Sequence, residues 1–219
     1  MLRALLLIVL IVVAGCAGSG GSATPTASPP LRAPADPAVI APSTLDATGY
    51  AERHADAPSL STTVTARIEG DVTLQTTRDV WATTARRVYA RSTPDGPAVV
   101  GLYAVPSVQP FENADLRKNP ALGLSTAALF TRAQTVYDVR NLSRTGERSV
   151  SVLAAEATLT RYRGTATANG TVRAVAATLV TVDHGGDYVT VAVVTPRGRD
   201  ASLDRLLGAV RHEKGTAPR

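Results

Sequence analysis

LSTTVTARI, residues 60–68, places Leu60, Thr62, Val64, Ala66 and Ile68 on one parity and Ser61, Thr63, Thr65 and Arg67 on the other. A repeat of two belongs to a β-strand with one buried face, because successive side chains point to opposite sides of the pleat. Gly70-Asp71 then turns the chain, and Val72, Leu74 and Thr76 resume the alternation, so the two segments predict a hairpin. Further strands are expected over 81–91 and 98–105, separated by the turn signal Thr93-Pro94-Asp95-Gly96. Trp81 and Phe130 are assigned to the core.

Asn119-Pro120 marks a loop, and beyond it the period changes. Leu129, Ala133, Val136 and Tyr137 recur at helical spacing, with Ser125 placed to cap the first turn. Three strands are expected over 156–166, 171–183 and 188–195. They are joined by Asn169-Gly170 and by His184-Gly185-Gly186-Asp187, residues suited to tight turns with positive φ. Leu203, Leu206, Leu207 and Val210 form the stripe of a last helix after the cap candidates Asp200 and Ser202. The whole reads as an α+β domain over 48–213, an antiparallel β-sheet with helices packed on it, followed by a tail at 214–219.

Upstream, Met1-Leu2-Arg3 is followed by an uncharged run rich in Leu, Ile and Val up to Gly15. One positive charge and an apolar run too short to span a bilayer describe a signal peptide, residues 1–15. The run ends Val13-Ala14-Gly15-Cys16, which resembles the lipobox of prokaryotic lipoproteins. Cys16 is therefore expected to become the lipid-bearing first residue of an exported protein held on the outer face of the cytoplasmic membrane. It is the sole cysteine, so a lipid on it leaves no thiol for a disulfide, a metal site or a nucleophile. Residues 16–47, rich in Gly, Ser, Thr, Ala and Pro, read as a disordered tether, with modification of its Ser and Thr residues compatible.

The resemblance extends further. The Gly70 hairpin, the strand into Tyr89, Asn119-Pro120 before the helix, Arg161-Tyr162-Arg163-Gly164 leading to a hairpin and the Leu-rich last helix resemble a haloarchaeal lipoprotein family built on one domain of unknown function. That resemblance implies location and fold, and no activity. At the level of fold the order of parts is also similar to PsbP-like proteins, which implies a binding or assembly role. The net charge of +5 departs from the acidic balance usual in haloarchaeal proteins. Either the host is less halophilic or the domain faces an acidic partner. Removing Arg3 with the signal leaves +4, and the only lysines are Lys118 and Lys214. Arginines interleaved with acids, in an exported chain, argue against nucleic acid as a partner.

Chemistry-bearing residues are sparse. His54 lies near the domain start, His184 in a Gly-rich turn and His212 in the last helical turn, all positions typical of solvated histidines. Asp183, His184 and Asp187 on one hairpin lack the surrounding hydrogen bonds that orient metal ligands, so no metal ion and no cofactor are expected. No serine stands in Gly-x-Ser-x-Gly or Ser-x-x-Lys, there is no phosphate-cradling loop, and Glu52, Glu69, Glu112 and Glu156 are dispersed. Alternation puts Arg161 and Arg163 on one face of a strand, where two guanidinium groups could grip an anion; the alternative is that they keep a solvent-facing sheet soluble. Two glycosylation sequons, Asn141-Leu142-Ser143 and Asn169-Gly170-Thr171, are expected in loops.

These readings favour a non-enzymatic, lipid-anchored module that binds or assembles an acidic envelope component or another protein, through a basic sheet face or the loop 106–120. The competing class is a small-ligand carrier or weak enzyme with a pocket between the sheet and the central helix. An apolar cleft there with inward-facing polar groups favours the second, and a filled core favours the first.

Overall fold

The computed structural model of the protein describes residues 28–70, 73–198 and 202–212. The signal at 1–15, Cys16, the tether as far as residue 27, Asp71 and Val72 of the first turn, the cap candidate Asp200 and the tail at 214–219 lie outside the described residues.

The first strands are β1 (Leu31–Pro34), β2 (Ala38–Ile40), β3 (Ala51–Asp56) and β4 (Ser59–Ile68), with α1 (Pro42–Thr48) before β3. Then come β5 (Leu74–Thr83), β6 (Ala85–Arg91), β7 (Ala98–Pro106), α2 (Thr126–Ala133), β8 (Asp138–Val152) and β9 (Ala155–Ala168). β10 (Thr171–His184), β11 (Asp187–Pro196), α3 (Leu203–Gly208) and β12 (Val210–His212) complete the chain order. Seven strands form one antiparallel sheet in the order β3-β6-β7-β11-β10-β9-β8, three form a smaller sheet β1-β5-β4, and β12 pairs with β2. The protein is thus mostly antiparallel β-sheet with a few short helices, and the helices are smaller partners than an even α+β balance implies.

The two larger sheets are made partly from one ribbon. β3 and β4 run out, β5 and β6 return, and the register carries through the corner unchanged: Asp56 faces Arg86 on one side of it and Ser59 faces Thr83 on the other. At the corner Pro58 has no N–H to donate. Its carbonyl instead accepts both the backbone N–H of Thr84 at 3.0 Å and the Thr84 hydroxyl at 2.6 Å. The ribbon bends there and lays the small sheet over the large one, so the strand expected over 81–91 is divided between β5 and β6.

Bending creates two cores. On one side of the large sheet Val80, Ala82, Val88, Tyr103, Phe130 and Tyr137 pack between the small sheet, α2 and the large sheet. On the other, Ile40, Tyr89, Leu102, Leu159, Val191, Leu206 and Leu207 pack under β2, β12, α1 and α3. β7 is buried along its whole length because it is covered on both sides. Gly101 at its centre has a steric reason: a Cβ there would sit 2.1 Å from the carbonyl oxygen of Ala133, where the end of α2 rests on the strand.

Three expectations are corrected. The stretch read as a tether joins the fold from Leu31 onward, with β1 parallel to β5, β2 antiparallel to β12, and Pro42 opening α1. Ala38 and Ile40 in it are buried, and its strands gain backbone partners from distant segments that local composition does not reveal. Ser125 does cap α2, accepting from the Ala128 N–H at 3.2 Å, but the helix stops at Ala133 rather than running through Tyr137. The buried Gln134 amide ends it: its oxygen accepts from the N–H groups of Val136 and Tyr137, and its nitrogen donates to the Tyr137 carbonyl. The Leu203 stripe, finally, is helical only to Gly208. Val210 and His212 belong to β12.

Candidate functional site

The largest departure from the sequence reading is at the histidines. β10 ends at His184 and β11 begins at Asp187, paired across the Gly185-Gly186 turn, in which both glycines have positive φ. β12 brings His212 to this end of the hairpin, with its side chain fully buried. His212 Nε2 lies 3.1 Å from Asp187 Oδ2 and 3.2 Å from the Asp36 carbonyl oxygen. Both neighbours only accept, so Nε2 carries a hydrogen. Asp187 Oδ2 also accepts the Asp36 N–H at 2.8 Å, and the His212 and His184 Nδ1 atoms are 3.1 Å apart.

The hydrogen bond to Asp187 raises the His212 pKa above the ordinary histidine value. Burial opposes this, and the Asp187 charge and the Asp36 carbonyl reinforce it. The His212 side chain is itself sealed from water and reaches the surface only through its contact with His184. The arrangement ties three distant parts of the chain together, the Asp36 link between β1 and β2, the β10–β11 turn and β12. Asp183 is exposed and takes no part, and among the described residues no group of three or more His, Cys, Asp or Glu is placed to hold a metal ion. His54, in contrast, is a surface residue 3.1 Å from Asp56. Asp56 is gripped at both oxygens by Arg86, whose hydrogen bonds are the main reason its carboxyl titrates below the usual range.

Arg161 and Arg163 are both exposed on β9, while Tyr162 between them points to the other face, its ring edge-on to Phe130 at 6.0 Å. The positions opposite Arg161 are Gly146 and Thr178, and those opposite Arg163 are Ser143 and Ala176. None of the four is acidic, so the pair is not neutralised across the strands. Arg148 shares this side of the sheet but is committed to Asp204 of α3.

Between the large sheet and α2 the core is filled by Phe130 and Ala133, both fully buried. What remains is a cavity of about 160 Å³ bordered by Val105, Leu129, Tyr188 and Thr190. That is about half the lower limit of ordinary ligand pockets. The 106–120 loop is stapled by reciprocal backbone hydrogen bonds between Val108 and Lys118.

Trp81 is not in the core. It is 48 % exposed on the outward face of β5, and the Arg32 guanidinium carbon lies 4.5 Å from its ring centre. The signal for this was present in the alternation, since Val80 and Ala82 point inward and Trp81 shares parity with Thr77, Asp79 and Thr83. Asn169 stands exposed in a tight turn, as expected. Asn141 lies in a bulge of β8 rather than in a loop, with φ of 52° and its amide 3.3 Å from the Thr165 hydroxyl.

No helix among the described residues is long and apolar enough to cross a membrane. The sequence pattern of a family described as a domain of unknown function (DUF6517) matches residues 37–211. No curated protein and no solved structure matches the chain.

Proposed function

Taking as premise that the chain belongs to the DUF6517 family, we propose that it is a lipid-anchored module of the cell surface that binds an acidic component of the envelope, without chemistry of its own. The observation that carries this reading is the outward pair Arg161 and Arg163, set on a rigid strand with no acidic residue opposite either of them. Two guanidinium groups on one strand face grip a carboxylate- or phosphate-bearing surface through paired N–H donors. Val13-Ala14-Gly15-Cys16 supports the anchor, with the lipid on Cys16 holding the domain at the outer face of the cytoplasmic membrane. The resemblance of the sequence motifs to haloarchaeal lipoproteins supports that placement, and the PsbP-like order of parts read in the sequence supports a binding or assembly role. Asn141 and Asn169, both exposed, are the positions where a glycan would be carried.

The test is crosslinking of intact cells, capture of the anchored protein and mass spectrometry of its companions. A reproducible envelope partner lost both in Cys16→Ser and in Arg161→Ala/Arg163→Ala is the expected result. A partner retained in the double arginine variant removes the basic face from the reading, and wild-type protein without lipid mass on Cys16 removes the anchor.

A further inference from the structure

We propose that the outward face of the small sheet is a second binding site, independent of Arg161 and Arg163, and that it takes an acidic saccharide at Trp81 and Arg32. β5 is the middle strand of this sheet, and Trp81 sits directly opposite Arg32 of β1 on one side and Ser61 of β4 on the other. The next rows are Ser59 opposite Thr83 and Thr63 opposite Asp79, the last two joined by a hydrogen bond of 3.1 Å. The indole is therefore the one aromatic surface in a field of hydroxyl groups.

Core packing does not account for it. Val80 and Ala82 supply this strand's inward packing, and leaving about half of an indole in water forgoes burial that any inward position would have provided. Nor does the patch resemble a protein-docking centre, where an exposed aromatic is ringed by further apolar groups that exclude water. A sugar ring matches what is present. Its C–H face is apolar and lies against an aromatic surface, while its hydroxyl groups need donors and acceptors around the rim, here Ser59, Ser61, Thr83 and the Asp79 carboxylate.

Arg32 sets the sign of the ligand. Its guanidinium lies over one face of the indole ring, and no carboxylate among the described residues forms an ion pair with it. A cation fixed by an aromatic contact, with its N–H groups unclaimed by an acid, is prepared for a carboxylate or sulfate on the sugar. Arg32 and Trp81 also line the same open cavity of about 300 Å³, within the range of small-ligand sites.

Trp81 is the sole tryptophan of the chain, so its fluorescence reports on this face alone. Full-length protein in detergent is titrated with trigalacturonate, with neutral maltotriose and with inorganic sulfate. The expected result is a saturable emission change with trigalacturonate only, weakened about tenfold or more in Arg32→Ala, as for loss of a charge-assisted hydrogen bond. Calorimetry of Trp81→Ala is expected to show no binding at a melting temperature close to wild type, since the side chain faces outward. An equal response to maltotriose overturns the role of Arg32, and an equal response to sulfate reduces the site to a free-anion site. No response to trigalacturonate overturns the site and leaves the envelope-binding reading to the crosslinking result. Binding that survives Arg32→Ala and Trp81→Ala but is lost in Arg161→Ala/Arg163→Ala assigns the saccharide to β9, and this site is then wrong.

Discussion

The two sides of the seven-stranded sheet are closed by different means. The side carrying α2 is covered by a continuation of the sheet's own ribbon, bent at Pro58 and Thr84; its core is apolar, and α2 is tied at the border by Arg86 donating to the Arg132 carbonyl and Arg132 donating to the Ser59 carbonyl. The other side is covered by short pieces from the two ends of the fold, β2 and α1 from one and α3 and β12 from the other. None of these is long enough to hold itself in place by secondary structure alone. That side is fastened by buried side chains that reach between the chain ends and the sheet: Asp187 to His212 and Asp36, and the Tyr89 hydroxyl 3.4 Å from the Ile40 N–H. A cover continuous with the sheet is positioned first by the ribbon itself, whereas one assembled from chain ends depends on its anchoring groups.

Removing an anchor should show this most sharply. His212→Ala leaves the buried Asp187 carboxylate without its Nε2–H donor and is expected to lower unfolding stability by about 3 kcal/mol in urea titrations. A loss under 1 kcal/mol would mean that the fasteners follow the packing rather than hold it. On the other side the corresponding weak point is steric. Gly101→Ala forces the end of α2 off β7 and should cost about 3 kcal/mol, with early loss of amide protection in α2 before β12.

The two sides should also separate by pH. The folded pKa of His212 lies above 6.5, so its contribution is fully present below that value and is lost as pH rises through the folded one. Melting temperature is expected to fall over that interval in the wild type and to stay flat in His212→Ala. A parallel fall in both would place the responsible group elsewhere. At the acid end Asp56, held below its usual 3.8 chiefly by Arg86, contributes above 3.8, and that contribution is lost as pH falls through its lowered value.

The smallest effect concerns the apolar side. The Tyr103 hydroxyl is buried without a hydrogen-bond partner among the described residues, so Tyr103→Phe should be neutral or stabilising by up to about 1 kcal/mol by thermal melt. A clear loss would show that the hydroxyl is satisfied by water.

The parts of this architecture that could be read in the sequence are those whose stability is local. The β4–β5 alternation, the buried run of β7, the Ser125 cap and the turns at Asn169-Gly170 and Gly185-Gly186 each state their geometry within a few residues. β8 could not be read because it is an edge strand, polar on most of its length and interrupted by bulges near Asn141 and Thr145, so its alternation is blurred. β1, β2 and β12 are too short to show a period and exist through partners far away in sequence. The meeting of Asp36, Asp187 and His212 spans most of the chain and leaves no local trace. Arg161 and Arg163 were placed correctly on one face by parity alone. The same parity puts Trp81 outside, against the general preference of a large aromatic for the interior.

The unbroken register at Pro58 and Thr84 has a mechanical consequence. Because one two-stranded ribbon, β3–β4 paired with β5–β6, serves both sheets, there is no seam along that border from which the small sheet can be peeled away. It is the large sheet's own border turned over, like a hem, and access to the core beneath it requires ripping the ribbon rather than lifting a flap.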